Sequence, residues 1–141
     1  MKLSVIVPSY NVSNYLEECI ESIVQQEISS MEVLIINDGS TDNTLEIAYR
    51  LEQKYDQVKV INQKNGGLGN ARNTGIAHSV GEYITFVDSD DVIEQNAYTH
   101  MLNTIENSGS DFVIGNVVRF NSTRTYASVL HKKVFFKDLI G

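Results

Sequence analysis

The sequence predicts an α/β domain: a mostly parallel sheet flanked by helices. Three observations point there. Strand-like apolar runs and amphipathic helical stretches alternate four times along the chain. The runs at Glu32–Ile36 and Tyr83–Val87 are rich in β-branched and aromatic residues, the pattern of strands buried on both faces. Polar or glycine-bearing segments follow these strands, at Pro8–Asn11, Asn37–Asp42 and Asp88–Asp91. In open α/β sheets ligands bind outside the carboxyl ends of the strands.

The elements follow in order. Leu3–Val7 reads as a short buried strand that Pro8 should stop, because proline cannot donate to a central ladder. Ser13 is the expected N-cap of a helix with Leu16, Ile20, Ile23 and Val24 inward and Glu17, Glu18, Glu21 and Gln25 outward. The strand at Glu32–Ile36 leads to Ser40 or Thr41 as cap of a second helix, with Asp42 in its first turn and Leu45, Ile47, Ala48, Leu51 and Tyr55 along it. Val58, Val60 and Ile61 alternate as in a more exposed third strand. The glycine-rich stretch Asn65–Gly75 opens a helix running to about Ser79, and Ala71 and Gly75 allow it to pack closely. Gly81 closes that helix before the strand Tyr83–Val87. A helix over about Glu94–Asn107 should bury Tyr98, Met101, Leu102 and Ile105. Beyond a turn at Ser108-Gly109-Ser110, Phe112–Val118 reads as a fifth strand, Arg119–Ser128 as one or two short polar strands, and His131–Gly141 as basic and then apolar.

A chain of 141 residues is one domain's worth. Its 42% hydrophobic and 21% charged composition is ordinary for a globular protein. The longest uninterrupted apolar run, Val33-Leu34-Ile35-Ile36, is far short of the ~20 residues of a membrane span. Met1-Lys2 runs directly into the first strand, so no signal peptide is expected. The single cysteine, Cys19, fits a reducing compartment and a place in the core. A formal net charge of −7 argues against nucleic acid as partner, but not against a nucleotide held through a metal. His78, His100 and His131 lack metal-ligand spacing, and Lys132, Lys133 and Lys137 form a modest basic cluster whose default reading is a solvated face.

The acidic stretch Asp88-Ser89-Asp90-Asp91 concentrates charge at a strand end. Two such charges about 4 Å apart repel by roughly 4 kcal/mol at an effective dielectric near 20. A divalent cation, Mn²⁺ or Mg²⁺, arriving with a substrate's diphosphate would compensate it. The alternative is an acidic turn that caps the helix near Glu94. Asp38, acceptor-only when ionised, would favour uracil or a guanine edge over cytosine; the alternative is that it only shapes the turn. Ser9, Tyr10 and Asn11 could line a base or ribose pocket, with Tyr10 stacking or serving as an ordinary half-buried aromatic. Arg72, early in the glycine-loop helix, could meet phosphate oxygens. The spacing at Gly67, Gly69 and Arg72 is not the dinucleotide fingerprint, and no P-loop occurs.

In order, Val5–Asn11, Ile36–Asp42, Gly67 through Gly75 and Asp88–Asp91 resemble the motifs of the inverting family-2 glycosyltransferases of the GT-A fold, a Rossmann-like architecture. The resemblance covers about residues 3 to 118, and its one departure is Asn37, where many members have Asp. It implies a metal-dependent transferase using a nucleotide-sugar donor, usually a UDP-sugar. Pro8, Ser9, Tyr10, Asn11 and Asp38 would hold the base, with Gly67 and Arg72 beside base or diphosphate. Asp88 and Ser89 would contact ribose or nucleotide. Asp90, with Asp88, would bind Mn²⁺ or Mg²⁺ acting as a Lewis acid towards the leaving diphosphate.

Inversion requires a general base for the acceptor hydroxyl. In the family it lies on a later segment. Among the acids after Glu94, Glu106 sits in a helix, Asp111 opens a strand and Asp138 lies near the end. Residues 1–141 are therefore expected to be a donor-binding domain, truncated on its C-terminal side, weak or inactive alone, with the base beyond Gly141. The expected acceptor is a glycan, lipid-linked or polymer hydroxyl, and docking to the remainder of a longer chain is expected. The expected location is cytoplasmic, with the inner membrane face as an alternative. A nucleotidyltransferase is disfavoured because Pro8–Asn11 contains no Lys or Arg. A non-catalytic binding or assembly module of the same fold is the remaining rival.

Overall fold

The computed structural model describes residues 1–120 and 125–137. Six strands and four helices alternate as β1 (Leu3–Ser9), α1 (Leu16–Val24), β2 (Met31–Asp38), α2 (Thr44–Lys54), β3 (Val58–Gln63), α3 (Leu68–His78), β4 (Tyr83–Phe86), α4 (Ala97–Ser108), β5 (Phe112–Phe120) and β6 (Thr125–Lys137). They form one sheet in the order β3-β2-β1-β4-β6-β5. The first four strands are parallel to one another. β6 runs antiparallel to both β4 and β5. The mostly parallel sheet is as expected, but the polar tail after Arg119 carries the end of β5 and one long strand, β6, inserted between β4 and β5. The side chains of Lys132, Lys133 and Lys137, and all of Asp138, lie outside the described part.

β1 and β2 are buried along their whole length, because helices cover both faces of the sheet. Odd-numbered residues Leu3, Val5, Val7, Val33 and Ile35 pack against Leu16, Ile20 and Ile23 of α1, Ala48 and Leu51 of α2, and Tyr98, Leu102 and Ile105 of α4. Even-numbered Ile6, Leu34 and Ile36 pack with Ala71 of α3 on the other face. Each such aliphatic side chain contributes about 1.5–3 kcal/mol on full burial. β3, with its alternating exposure, is an edge strand as the sequence indicates.

β1 does not stop at Pro8: Pro8 and Ser9 stay in register with Ile36 and Asn37 of β2. Ile6 accepts a hydrogen bond from Val87 N–H at 3.0 Å, so even residues of β1 turn their backbone groups towards β4. Pro8 lies past the last β1–β4 pair, Ile6 with Phe86, where its missing N–H has no ladder to serve.

The lower, N-terminal end of the sheet is closed by paired charges. Buried Glu32 accepts from Ser4 Oγ at 2.5 Å and Val80 N–H at 2.9 Å, with Lys59 Nζ at 3.6 Å. Lys2 pairs with Glu82 and Glu106. Among the described residues no helix is long and apolar enough to cross a membrane.

α3 sits directly on the sheet at Gly75, where an added Cβ would collide with Ile6 Cγ2. Gly75→Ala should therefore destabilise the fold by about 1–3 kcal/mol, as overpacked cores do. Thermal unfolding reads this out. Adding Ile6→Ala should recover part of the loss, giving a double-mutant cycle that is not additive.

Candidate nucleotide-sugar site

The carboxyl ends of β1, β2 and β4 meet at the upper rim. Asn11, which follows β1, has φ +50, a conformation Asn adopts at low cost. Its Oδ1 accepts from Thr41 N–H at 2.8 Å and Asp42 N–H at 3.3 Å, and its own N–H donates to Ser40 Oγ at 3.1 Å. Val12 N–H donates to Thr44 Oγ1 at 2.9 Å. Asp42 completes the stitching, accepting from Thr44 N–H at 2.9 Å and Ser13 N–H at 3.3 Å. These bonds correct the expected caps. Ser13 does not cap α1, nor Ser40 or Thr41 α2; all three join the loop after β1 to the loop after β2, and Asp42 takes the orphan N–H at the start of α2.

Asp38, the last residue of β2, is 4% exposed. Its Oδ1 accepts from Gln63 Nε2 at 2.7 Å and Gly66 N–H at 2.9 Å, and Oδ2 from Gly67 N–H at 2.9 Å. Burial pushes its pKa up, but the bonds from Gln63, Gly66 and Gly67 outweigh it and hold the carboxyl below its ordinary value. Asp38 thus organises the glycine loop as well as the turn. Gly67, at φ +88, makes the sharp entry into α3 that an L side chain would strain. Gln63, at the end of β3, also donates to Asn70 Oδ1 at 2.9 Å and accepts from Thr74 Oγ1 at 2.6 Å. Asn65 Nδ2 donates to the Asp38 carbonyl at 3.0 Å.

Arg72, on the second turn of α3, reaches Asp88 past β4: Nη2 lies 3.2 Å from Oδ1. Its guanidinium lies 5.9 Å from the Phe86 ring centroid, and its buried Nε has no hydrogen-bond partner among the described residues. Asp88 and Asp90 are exposed, and Ser89 is buried. Asp91 N–H donates to the Asp88 carbonyl at 2.9 Å, closing a tight turn. The acidic stretch does not cap the next helix: α4 begins only at Ala97, and its first turn holds no acidic residue. Ser22 Oγ of α1 accepts Ile93 N–H at 2.9 Å, and Gln26, just past α1, donates to the Glu94 carbonyl at 2.9 Å and accepts from Tyr98 N–H at 3.2 Å, pinning the segment after the turn.

Of the expected nucleotide contacts, Asp38 and Gly67 meet directly, as do Arg72 and Asp88. Tyr10 is 49% exposed on the rim, so it is free to stack. Pro8 and Ser9 are buried, and Ser9 Oγ donates to the Val7 carbonyl at 3.2 Å rather than facing outward. Among the described residues no three His, Cys, Asp or Glu side chains converge as a metal cluster. Sequence reasoning missed Gln63 and Gln26. Gln26 had a signal, since it extends the inward stripe of Leu16, Ile20 and Ile23 and is polar there. Gln63 had none, because a polar residue ending an edge strand reads as solvated.

The parallel strands, with an acid-held glycine loop and an arginine–aspartate pair at their carboxyl ends, have the architecture of the GT-A glycosyltransferases that are the chain's structural neighbours. S. aureus TarS 1–349, solved in complex with UDP-GlcNAc, is similar at a TM-score of 0.78 and 34% identity, over 88% of this chain and 36% of that one. The chain belongs to glycosyl transferase family 2, whose family model matches residues 4–139. It is 43% identical over 122 residues to glycosyltransferase GlyA of Streptococcus pneumoniae serotype 4, covering 86% of this chain and 18% of that protein. It is 37% identical over 125 residues to the poly(ribitol-phosphate) beta-glucosyltransferase of Bacillus spizizenii, covering 86% and 20%. The chain thus spans well under half the length of these relatives.

The hydrogen bonds from Thr44 and Ser13 outweigh burial and hold the Asp42 carboxyl down at about 2, against about 3.9 unfolded. A depressed folded value means stability present above the unfolded pKa and lost as pH falls. Unfolding midpoints should therefore drop between about pH 4 and pH 2 in the parent, and Asp42→Asn should flatten that part of the profile.

Proposed function

We propose that residues 1–141 form the donor-binding domain of a glycosyltransferase that moves a sugar from a nucleotide sugar, a UDP-sugar first, to an acceptor hydroxyl with inversion. One observation carries this. The ends of β1, β2 and β4 bring a base-type acceptor, Asp38, to the same rim as a phosphate-type cation, Arg72, and the carboxylate of Asp88. The TarS complex with UDP-GlcNAc, and another with UDP, support a uridine donor.

Each side chain has a task. Asp38 accepts the N3–H of uracil, and Tyr10 offers a face for the base. Arg72 turns from Asp88 to the diphosphate, which satisfies its guanidinium in fork geometry. Asp88 and Asp90 are exposed, acceptor-only and close in sequence. That donor set fits Mn²⁺ or Mg²⁺, which need one or two carboxylates when a substrate diphosphate supplies further oxygens. Such an ion, when bound, supplies positive charge to the departing diphosphate.

The general base is not Glu106, which pairs with Lys2 at the opposite end of the sheet. Asp111 is exposed at the start of β5. The proposed base lies beyond Gly141, in a part that also docks to this domain and receives a glycan, lipid-linked or polymer acceptor. Nucleotide sugars place the reaction in the cytoplasm, at its membrane face where the acceptor is lipid-linked.

Calorimetric titration with UDP, with and without Mn²⁺, tests the reading. UDP should bind more tightly with Mn²⁺, Asp90→Ala should abolish that gain, and Arg72→Ala should weaken UDP about tenfold, the scale of one charge-assisted hydrogen bond. Equal UDP affinity in the parent and both variants would overturn the assignment, and absence of any binding would favour a non-catalytic module.

A further inference from the structure

We infer that Gln63 is a specificity-determining positioning residue: it sets how many acceptor positions Asp38 can offer a base, and so makes the site select uracil over guanine. The inference rests on the nucleotide-binding reading above and deepens it.

An ionised carboxylate has about four acceptor positions, two on each oxygen. In Asp38 both positions on Oδ1 are filled, by Gln63 Nε2 at 2.7 Å and Gly66 N–H at 2.9 Å. Oδ2 accepts only from Gly67 N–H at 2.9 Å, so one position on Oδ2 has no partner among the described residues. Asp38 itself keeps 4% of its surface exposed, at the rim where β2 ends. The carboxylate therefore keeps one acceptor position for a further donor.

Uracil presents one ring donor, N3–H, between two carbonyl oxygens. Guanine presents N1–H and the 2-amino group side by side, and a carboxylate satisfies that edge with one bond to each oxygen. With Oδ1 filled, guanine would leave a donor unpaired at a nearly buried group, the kind of mismatch that costs most. Cytosine and adenine present a lone pair at the corresponding ring nitrogen, and the carboxylate repels it.

Gln63 is the one side-chain donor to the Asp38 carboxylate among the described residues, and removing it leaves both backbone donors of the glycine loop in place. Gly66 and Gly67 bond Asp38 through backbone N–H groups, which a side-chain change other than to proline leaves in place. Gln63 is held in orientation from both ends of its amide, by Thr74 Oγ1 at 2.6 Å on Oε1 and by Asn70 Oδ1 at 2.9 Å on Nε2. Its amide is therefore a fixed donor and not a rotor that a base could displace at will.

The test compares the parent chain with Gln63→Met, which keeps length and removes both polar ends. UDP and GDP are titrated by calorimetry with Mn²⁺ present, and the Asp38 carboxyl is titrated by carbon-detected NMR without nucleotide. In Gln63→Met the preference for UDP over GDP should narrow about tenfold, mainly through tighter GDP, and the Asp38 titration should move up. Gln63→His, which can restore an N–H donor, should return the preference part of the way. An unchanged UDP-to-GDP ratio in Gln63→Met would overturn the inference, as would equal weakening of both nucleotides with no shift at Asp38, the signature of a merely structural role. Failure of the parent to bind UDP at all would instead remove the donor-site reading itself, and the NMR titration would still report whether Gln63 sets the state of Asp38.

Discussion

The carboxylate of Asp38 is the junction on which the ligand-facing rim depends. β2 ends in an apolar sheet covered on both faces, so a charge there must find its donors locally. It finds them in two backbone N–H groups of the glycine loop and in the last side chain of β3. One group thus fixes the end of β2, the end of β3 and the entry to α3. The neighbouring loops follow the same logic on a smaller scale, with Asn11 and Asp42 collecting backbone donors across the gap between β1 and α2. Side-chain acceptors here replace the hydrogen bonds that the sheet can no longer supply.

The two ends of the sheet treat charge differently. At the lower end three acids have cation or hydroxyl partners within the fold: Glu32 with Ser4 and Lys59, Glu82 and Glu106 with Lys2. At the upper end Asp88 meets Arg72 only through an exposed, single contact at 3.2 Å, and Asp90 is exposed. Exposed pairs of this kind are worth about 0–1 kcal/mol, little enough for a ligand to exchange. Arg72 also keeps a buried Nε without a partner among the described residues, a cost that a phosphate oxygen would relieve. The lower end pairs these charges within the fold, and the upper end leaves its own more open.

Much of the architecture was legible in the sequence. β-branched runs located the central strands because strands buried on both faces have little choice of residue type. The inward positions of α4 followed from helical spacing alone. What stayed hidden was tertiary in origin. Ser13, Ser40 and Thr41 look like caps, and only the approach of two loops turns them towards each other. Pro8 looks like a strand end, and only the early departure of β4 lets β1 continue through it. The place of β6 between β4 and β5 could not be read, because an antiparallel return carries no mark of which strand it joins. In the site, Asp38, Arg72 and Asp88 were visible as residue types at strand and helix ends, whereas Gln63 acquires meaning only from register with Asp38 across β2 and β3.

On the proposed reading, an acidic chain would hold an anionic ligand. The net charge is −7, yet charges farther away than a Debye length of about 8 Å are largely screened at physiological salt. What a diphosphate meets is set by the groups within that distance. Asp38 is buried with its charge spread over three donors, so it presents little field to the rim. Asp88 faces Arg72, and the guanidinium and the N-terminal end of α3 are the nearby positive groups. The same Asp88–Asp90 charges that would repel a bare diphosphate are the ones a divalent cation would join to it. On the proposed reading, binding of nucleotide and of metal at this rim would be mutually dependent: each would supply the charge that the other needs, and neither would be well served alone.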